Sequence, residues 1–260
     1  MFNTILLDTD RHGVTTLTLN RPEKHNTISG EMIDELTKAA TMLRRDSSVR
    51  VVVLAGTGRT FCAGGDLNWM RDQIGASDKA RREAATKLAM MLNALNTLPK
   101  PVIGALQGNT FGGGVGMACV CDVAIGITGA RFGLTETRLG LIPATIGPYV
   151  IARLGEAMAR RVFMSSRIFD ADEAQVLGVV ARVVAPDDLE RAVEAEIAPY
   201  LACAPGAVAQ AKALARKLGP VIDQATIARS IDALVARWQS DESEEGISAF
   251  FEKRPPDWAK

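Results

Sequence analysis

The feature that constrains this chain most is a glycine-rich segment, NTFGGGVGM (109–117), which follows the aliphatic run PVIGAL (101–106). The run is short and opens on proline, which is typical of a buried strand. Successive glycines allow a sharp turn and a close approach of backbone to a bound group, because no Cβ intervenes. The small apolar residues 115–120 predict a buried helix, whose first N–H groups favour negative charge. The segment therefore either stabilises a negative charge on a bound ligand or only allows the strand and the helix to pack closely.

A second glycine loop, FCAGGDL (61–67), follows the apolar run VVVLA (51–55). It repeats the order of strand, small-residue loop and helix start, with the helix predicted to begin at Asp66. Two such loops can aim two backbone N–H groups at one oxygen. That arrangement is an oxyanion hole, which needs donors about 2.7–3.1 Å from the oxyanion.

Composition narrows the classes of protein and ligand. The chain has 260 residues, 47% of them hydrophobic, and 30 basic residues balance 30 acidic ones. Zero net charge predicts no nucleic-acid partner and no attraction to an anionic membrane. No 18-residue apolar span and no signal peptide are recognised, so a cytoplasmic protein is expected. The cysteines, at positions 62, 119, 121 and 203, are predicted to be free thiols and to hold no metal.

Strand and helix patterns alternate through the first part of the chain. Residues 3–8 and 14–19 alternate apolar and polar side chains around a turn, which predicts a hairpin. Ser29 is placed to cap a helix whose apolar residues recur at helical spacing. Further strands are predicted over 50–55, 101–106, 122–127 and 179–184, and helices over 66–97 (interrupted near 75–77), 114–120, 149–164 and 171–177. This order favours an α/β core with parallel strands.

From residue 187 onward the pattern is entirely helical, with prolines and glycines as punctuation. The helices are predicted over 187–203, 206–217, 221–238 and 242–252. We therefore expect two parts: an α/β core with the active site over 1–186, and a C-terminal helical region over 187–260.

Taken together, these segments resemble the enoyl-CoA hydratase/isomerase (crotonase) family. The matching pieces are LNRP (19–22) with Asn26, FCAGGDL (61–67), the glycines 112–114, FGLTE (132–136), GLIP (140–143) and SAFFEKR (248–254). Within the family, residues 112–117 and 141–149 are similar to bacterial methylglutaconyl-CoA and carboxygeranoyl-CoA hydratases. The resemblance implies a crotonase-like spiral of ββα units, followed by a helical trimerisation region.

The resemblance also implies site residues. It places the oxyanion donors at the backbone N–H groups of Gly65 and Gly113, and the acid–base group at Glu136. The chemistry agrees, because two donors to a thioester carbonyl stabilise its enolate, and a carboxylate in an apolar cleft exchanges protons near neutral pH. The alternatives are glycines that serve only tight turns and a Glu136 that caps a helix or pairs with Arg138.

One position departs from many hydratases of the family. They carry a second glutamate two residues after the glycine run, where this chain has Gly116. One carboxylate suffices for Δ3,Δ2-enoyl-CoA isomerisation, whereas water addition usually uses two groups. The local resemblance nevertheless favours an enoyl-CoA hydratase. The isomerase, and a catalytically silent CoA-binding relative, remain alternatives. Thr145 and Tyr149 supply hydroxyl groups in the neighbourhood.

Coenzyme A enters as part of the substrate, and no separate cofactor is expected. By resemblance, the contacts come from Lys24, His25, Ala63, Gly65, Asp66, Leu67, Phe250 and Lys253. The last two match C-terminal residues that contact a neighbouring subunit's ligand, which implies a homo-oligomer, a trimer or a dimer of trimers. Branched or carboxylated acyl chains, as in leucine or terpenoid degradation, are the substrates that the resemblance implies.

Overall fold

Two sheets form the centre of the computed structural model. The structure describes residues 2–259, so residue 1 of the predicted core and residue 260 of the predicted helical region lie outside the described residues. The strands are β1 (Ile5–Thr9), β2 (Val14–Leu19), β3 (Val51–Gly56), β4 (Thr60–Cys62), β5 (Val102–Leu106), β6 (Asn109–Phe111), β7 (Val123–Ile127), β8 (Arg131–Gly133), β9 (Phe169–Asp170) and β10 (Arg182–Val184). The helices are α1 (Gly30–Arg45), α2 (Leu67–Ile74), α3 (Asp78–Asn96), α4 (Gly113–Val120), α5 (Gly147–Leu154), α6 (Glu156–Phe163), α7 (Ala171–Leu177), α8 (Leu189–Leu201), α9 (Pro205–Leu218), α10 (Gln224–Trp238) and α11 (Asp241–Glu252). Short 3-10 helices cover Pro22–Lys24, Glu136–Leu139, Pro186–Asp188 and Asp257–Ala259.

The N-terminal hairpin and first helix form as their sequence predicts. β1 and β2 pair antiparallel with Ile5 opposite Leu19. Residues of β2 alternate between buried and half-buried, because successive side chains point to opposite faces. Ser29 caps α1 and accepts a hydrogen bond from the Met32 backbone N–H.

The strands wind between the two sheets. β3, β5 and β7 run parallel in the six-stranded sheet, whose order is β1-β2-β3-β5-β7-β10. Each is followed at once by a strand of the four-stranded sheet, whose order is β4-β6-β8-β9 and in which β4, β6 and β8 are also parallel. A helix then leads back to the next turn. This arrangement confirms the expected α/β spiral of ββα units.

Two local features differ from what the sequence analysis gives. The four-stranded sheet was missed, because its strands have only two or three residues each, too few for a pattern to register. The single helix predicted over 149–164 is two helices, α5 and α6, which break at Gly155. Its φ of +74° lies in the left-handed region, which glycine adopts without strain.

The C-terminal helices cover both the sheet and the loops beside it. α8 lies on the six-stranded sheet, α10 packs against α3, and α11 packs against α2 and the 3-10 helix Glu136–Leu139. The contact between α8 and the sheet buries the side chains of Val51, Val53, Ile103, Ile125, Ala192, Val193 and Ile197. The boundary at 186/187 stays a prediction. Within residues 2–259, no helix is both long and apolar enough to cross a membrane.

Close packing of α4 on β4 yields a stability prediction. A Cβ at Gly114 would lie 2.6 Å from the Cys62 carbonyl oxygen. We expect Gly114→Ala to lower the free energy of unfolding by about 2 kcal/mol, since the helix must move off the strand. Urea denaturation followed by circular dichroism measures this. Gly206→Ala is the matched control, because nothing lies within 4 Å of its added Cβ. Equal midpoints for the two variants would contradict the packing described.

Candidate active site

The candidate site lies where three adjacent parallel strands end. β4, β6 and β8 are neighbours, with Cys62 paired to Thr110 and Thr110 paired to Phe132. Parallel strands present their carboxyl ends at one edge, so the loops that follow them meet there. Gly65 follows β4, Gly113 follows β6 and Glu136 follows β8. Sheet pairing therefore brings together three residues that are far apart in the sequence.

Glycine is required where the first two loops touch. Gly64 and Gly112 have φ values of +97° and +48°. A Cβ built on Gly112 would lie 3.0 Å from Glu136 Oε1, and one on Gly64 would lie 3.7 Å from the Gly113 nitrogen. The Gly112 N–H also donates to the Gly133 carbonyl at 2.8 Å. The backbones of the two loops thus pack directly against each other and against the carboxylate.

The two predicted oxyanion donors are available for hydrogen bonding. Neighbouring amides are engaged: Ala63 N–H donates to the His25 carbonyl, and Asp66 N–H donates to the Ile28 carbonyl. The N–H groups of Gly65 and Gly113 have no acceptor within residues 2–259, and both residues line one cavity. Their role as an oxyanion hole stays a prediction, and free amides on a shared cavity wall are what it requires.

The cavity is small and its wall is mostly apolar. Its volume is about 50 Å³. Besides the three predicted residues, it is lined by Ile28, Trp69, Met70, Leu88, Leu92, Leu141, Ile142, Pro143, Ala144, Thr145, Ile146, Leu234 and Trp238. The Met70 methyl group covers Gly65, since a Cβ on that glycine would lie 2.2 Å from Met70 Cε. An acyl group that reaches Gly65 must therefore displace the flexible Met70 side chain.

Glu136 has the environment of an acid–base group. Its Oε2 atom is buried and has no hydrogen-bond partner among the described residues. Burial disfavours the charged carboxylate and raises the pKa of Glu136 from 4.5 to about 7, while a backbone hydrogen bond within the residue lowers it slightly. Arg138 is exposed and makes no ion pair with it in the described chain. The structure thus does not support the alternative in which Arg138 neutralises Glu136.

An apolar side chain occupies the position where a second carboxylate would enter. A Cβ at Gly116 would lie 2.3 Å from Ile146 Cγ2. Ile146 thus fills the volume beside Gly116, and among the described residues Glu136 alone places a carboxylate on the cavity wall. Of the two hydroxyl residues predicted nearby, Thr145 lines this cavity and Tyr149 does not.

Sequence reasoning missed the part of the wall that comes from α2 and α10. Trp69 and Trp238 pack edge to face with ring centroids 5.7 Å apart, and Leu234 lies beside them on α10. The Trp238 indole Nε1 is buried without a hydrogen-bond partner in residues 2–259. Trp238 lies about a hundred positions beyond Glu136, and no local motif signals that α10 folds back over the site.

The residues predicted to bind coenzyme A are dispersed. Lys24 and His25 are exposed at the end of the 3-10 helix Pro22–Lys24, where a long polar ligand can reach them. Asp66 caps α2 with its side chain and forms an ion pair with Arg21 at 3.1 Å. Its carboxylate is therefore used structurally.

The predicted C-terminal contacts lie away from this cavity. Phe250 and Lys253 are exposed at the end of α11 and do not line the cavity. Their contact with a ligand of another subunit, and the CoA contacts of Ala63 and Leu67, stay predictions. No cluster of three or more His, Cys, Asp or Glu side chains that could hold a metal occurs within residues 2–259.

Sequence and structure comparisons agree on the class of protein. The model of the enoyl-CoA hydratase/isomerase family matches residues 9–260. The chain therefore belongs to the enoyl-CoA hydratase/isomerase family, which confirms the resemblance.

Particular relatives come from bacteria and mammals. The 2,3-dehydroadipyl-CoA hydratase of Escherichia coli is 33% identical and covers 94% of each chain. The mitochondrial methylglutaconyl-CoA hydratase of Rattus norvegicus is 31% identical over 96% of this chain and 80% of the rat protein. A crystal structure of an enoyl-CoA hydratase from Shewanella pealeana superposes with a TM-score of 0.81 at 36% identity, covering 99% of this chain and 97% of that one.

Burial of Glu136 yields a pH-dependent stability prediction. Its pKa is about 7 in the folded chain, against 4.5 ordinarily, so the folded state binds more protons between these values. The free energy of unfolding therefore falls by about 3 kcal/mol as the pH rises from 4.5 to 7. Glu136→Gln removes this loss. We expect it to exceed the parent in stability at pH 8 and to match it at pH 4.5.

Urea denaturation at the two pH values measures the difference. Glu83→Gln is the control, since Glu83 is exposed and has no ion pair among the described residues. A Glu136→Gln variant that is less stable than the parent at pH 8 would contradict the burial described for this carboxylate.

Proposed function

We propose that this protein is an enoyl-CoA hydratase, which adds water across the double bond of a 2-enoyl-CoA thioester. The observation that carries the proposal is the set of groups on one cavity wall. Two N–H groups that have no acceptor among the described residues, from Gly65 and Gly113, line the cavity together with Glu136, whose Oε2 atom is buried and has no partner in the same part of the chain. Donors aimed at a thioester oxygen and a carboxylate beside the neighbouring carbons are the parts that enolate chemistry requires.

In this mechanism the amides of Gly65 and Gly113 hold the thioester oxygen and make the β carbon electrophilic. A water oxygen bonds to the β carbon, and the π electrons of the double bond move to form the enolate. Glu136 takes one proton from that water and then gives it to the α carbon as the enolate collapses. The water supplies one hydrogen and one hydroxyl group to the product, so one carboxylate balances the reaction.

The pKa of Glu136 suits both halves of this cycle. A group with a pKa of about 7 accepts and releases a proton near neutral pH with little penalty in either direction. Desolvation raises the pKa, and the apolar wall provides it. The same wall excludes bulk water from the enolate.

The apolar wall also limits which acyl groups the cavity can hold. No Lys, Arg or His of residues 2–259 lines the cavity, so an acyl carboxylate would lie there without a cation from this part of the chain. The relatives from E. coli and rat have names that specify carboxylated acyl groups. For this chain we propose an uncharged acyl group, short or branched, with coenzyme A extending past Lys24 and His25. A cytoplasmic homo-oligomer, trimer or dimer of trimers, in which Phe250 and Lys253 contact a neighbouring subunit's ligand, completes the proposal.

A second candidate function is Δ3,Δ2-enoyl-CoA isomerisation. The observation that favours it is Ile146 beside Gly116, which leaves Glu136 as the one carboxylate that residues 2–259 place on the cavity wall. Isomerisation moves a proton between two carbons and needs no attacking water.

Direct assays separate the candidates. We expect hydration of crotonyl-CoA, seen as loss of the absorbance of the conjugated thioester, to exceed isomerisation of 3-hexenoyl-CoA. Glu136→Gln should lower hydration by about 10³-fold, because the proton has no other acceptor. The control is again Glu83→Gln, which should retain full activity. Isomerisation without hydration would establish the second candidate, and undiminished hydration by Glu136→Gln would refute the mechanism.

The charge of the acyl group leads to a further prediction, which concerns substrate preference. We expect kcat/KM for crotonyl-CoA to exceed that for 3-methylglutaconyl-CoA at least tenfold, since an unpaired carboxylate in an apolar wall costs more than about 1.4 kcal/mol. Leu234→Lys adds a cation to the wall and should narrow this ratio, whereas Leu234→Met should preserve it. A wild-type preference for the carboxylated substrate would show that the acyl chain does not end in this cavity.

A further inference from the structure

The proposed hydration requires a second group that holds the attacking water, and the usual place for it is closed. Gly116 has no side chain, and Ile146 occupies the space in front of it. A water held by Glu136 alone can rotate about one hydrogen bond. Orientation of a nucleophile contributes strongly to rate, so another polar group on the wall is needed to restrain it.

Thr145 is placed to be that group. It is only 4% exposed, lines the same cavity as Glu136, and has no hydrogen-bond partner for its hydroxyl within the described chain. A hydroxyl in an apolar wall gains free energy from any polar partner that enters the cavity. Among the described side chains that line the cavity, those with an oxygen or an indole nitrogen atom are Glu136, Thr145, Trp69 and Trp238.

The loop that carries Thr145 is tied to the loop that carries Glu136. Leu141 N–H donates to the Glu136 carbonyl at 3.1 Å. Within the loop, Ala144 N–H donates to the Ile142 carbonyl at 2.7 Å, and Gly147 N–H donates to the Ala144 carbonyl at 3.0 Å. These bonds hold the backbone on both sides of Thr145, so its position relative to the carboxylate is set by the fold.

The cavity has room for a water molecule beside these polar groups. The space open to the centre of a water molecule is about 50 Å³, and about 10–15 Å³ of such space suffices for one water. A water beside the Glu136 carboxyl therefore fits in the cavity whose wall Thr145 shares.

We propose that Thr145 is the residue that positions the attacking water, and this proposal rests on the proposed hydratase function. The water donates one hydrogen bond to Glu136 and the other to Thr145 Oγ1, which leaves an oxygen lone pair directed at the β carbon. The water proton that leaves goes to Glu136. Thr145 exchanges no proton and forms no bond to the substrate. It replaces, with a hydroxyl, the group that a side chain at Gly116 cannot supply.

The test compares two reactions that use the same glycine amides and the same carboxyl group, but only one of them needs a water molecule to attack the substrate. Hydration of crotonyl-CoA needs the attacking water, whereas exchange of the α protons of butyryl-CoA in D₂O needs only the glycine amides and Glu136. We expect Thr145→Val to lower kcat for hydration about 30-fold, the loss of one hydrogen bond to a reacting polar group. Its rate of α-proton exchange, followed by NMR, and its KM should stay within about twofold of the parent values, since neither depends on that bond.

Thr145→Ser is the matched control, since it keeps the hydroxyl and loses the methyl group. It should retain hydration within about threefold of the parent, because the hydrogen bond is kept. Thr145→Ala replaces Thr145→Val if the valine variant does not fold, as judged by its melting temperature. Unchanged hydration in the valine or alanine variant would overturn the proposal. An equal fall of hydration and exchange would overturn it as well, because it would show a structural role for Thr145.

The two proposals fail in different ways. A parent protein that isomerises 3-hexenoyl-CoA and hydrates no enoyl-CoA would overturn the proposed function, and the role of Thr145 with it. A parent that hydrates crotonyl-CoA while Thr145→Val hydrates equally well would overturn the role of Thr145 alone.

Discussion

The pairing of three very short parallel strands, β4, β6 and β8, is the constraint on which the site depends. Each strand has three residues, yet their register places the loops that carry Gly65, Gly113 and Glu136 side by side. The loops can touch because Gly64 and Gly112 adopt left-handed backbone conformations and carry no Cβ. A side chain at either glycine would enter the contact between loops and carboxylate. Backbone geometry therefore sets where the proposed oxyanion donors and Glu136 lie relative to one another.

Burial of the Glu136 carboxylate lowers the stability of the fold and raises the pKa of this group. Glu136 has no cation beside it and no hydrogen-bond partner for Oε2 among the described residues. A fold selected for stability alone would pair or expose such a group. The pKa of Glu136, raised to about 7, is the chemical consequence, and it suits the proton transfer proposed for this residue. Leu234 and Trp238 of α10 contribute to this environment, so the C-terminal helices of the chain take part in forming the site.

The sequence was informative where a function needs a particular residue at a particular backbone conformation. Both glycine loops, the cap at Ser29 and the break between α2 and α3 could be located from local patterns, and the family resemblance pointed to Glu136. The strands β4, β6, β8 and β9 could not, since so few residues carry no periodicity. Nor could the contact of Ile146 with Gly116, or the fold-back of Trp238, because tertiary packing sets both. The missing second glutamate could be read from the sequence, but the side chain that fills its place could not.

The central claim is that the amides of Gly65 and Gly113 converge on the carbonyl oxygen of a bound thioester. Vibrational spectroscopy of crotonyl-CoA labelled with ¹³C at that carbonyl, bound to Glu136→Gln so that turnover does not consume it, measures this polarisation directly. Two hydrogen bonds to the oxygen weaken the C=O bond, so the carbonyl stretch of the bound ligand should lie at lower frequency than that of the ligand in water. A stretch at the aqueous frequency or above would show that the two amides do not act on the thioester and would contradict this account of the site.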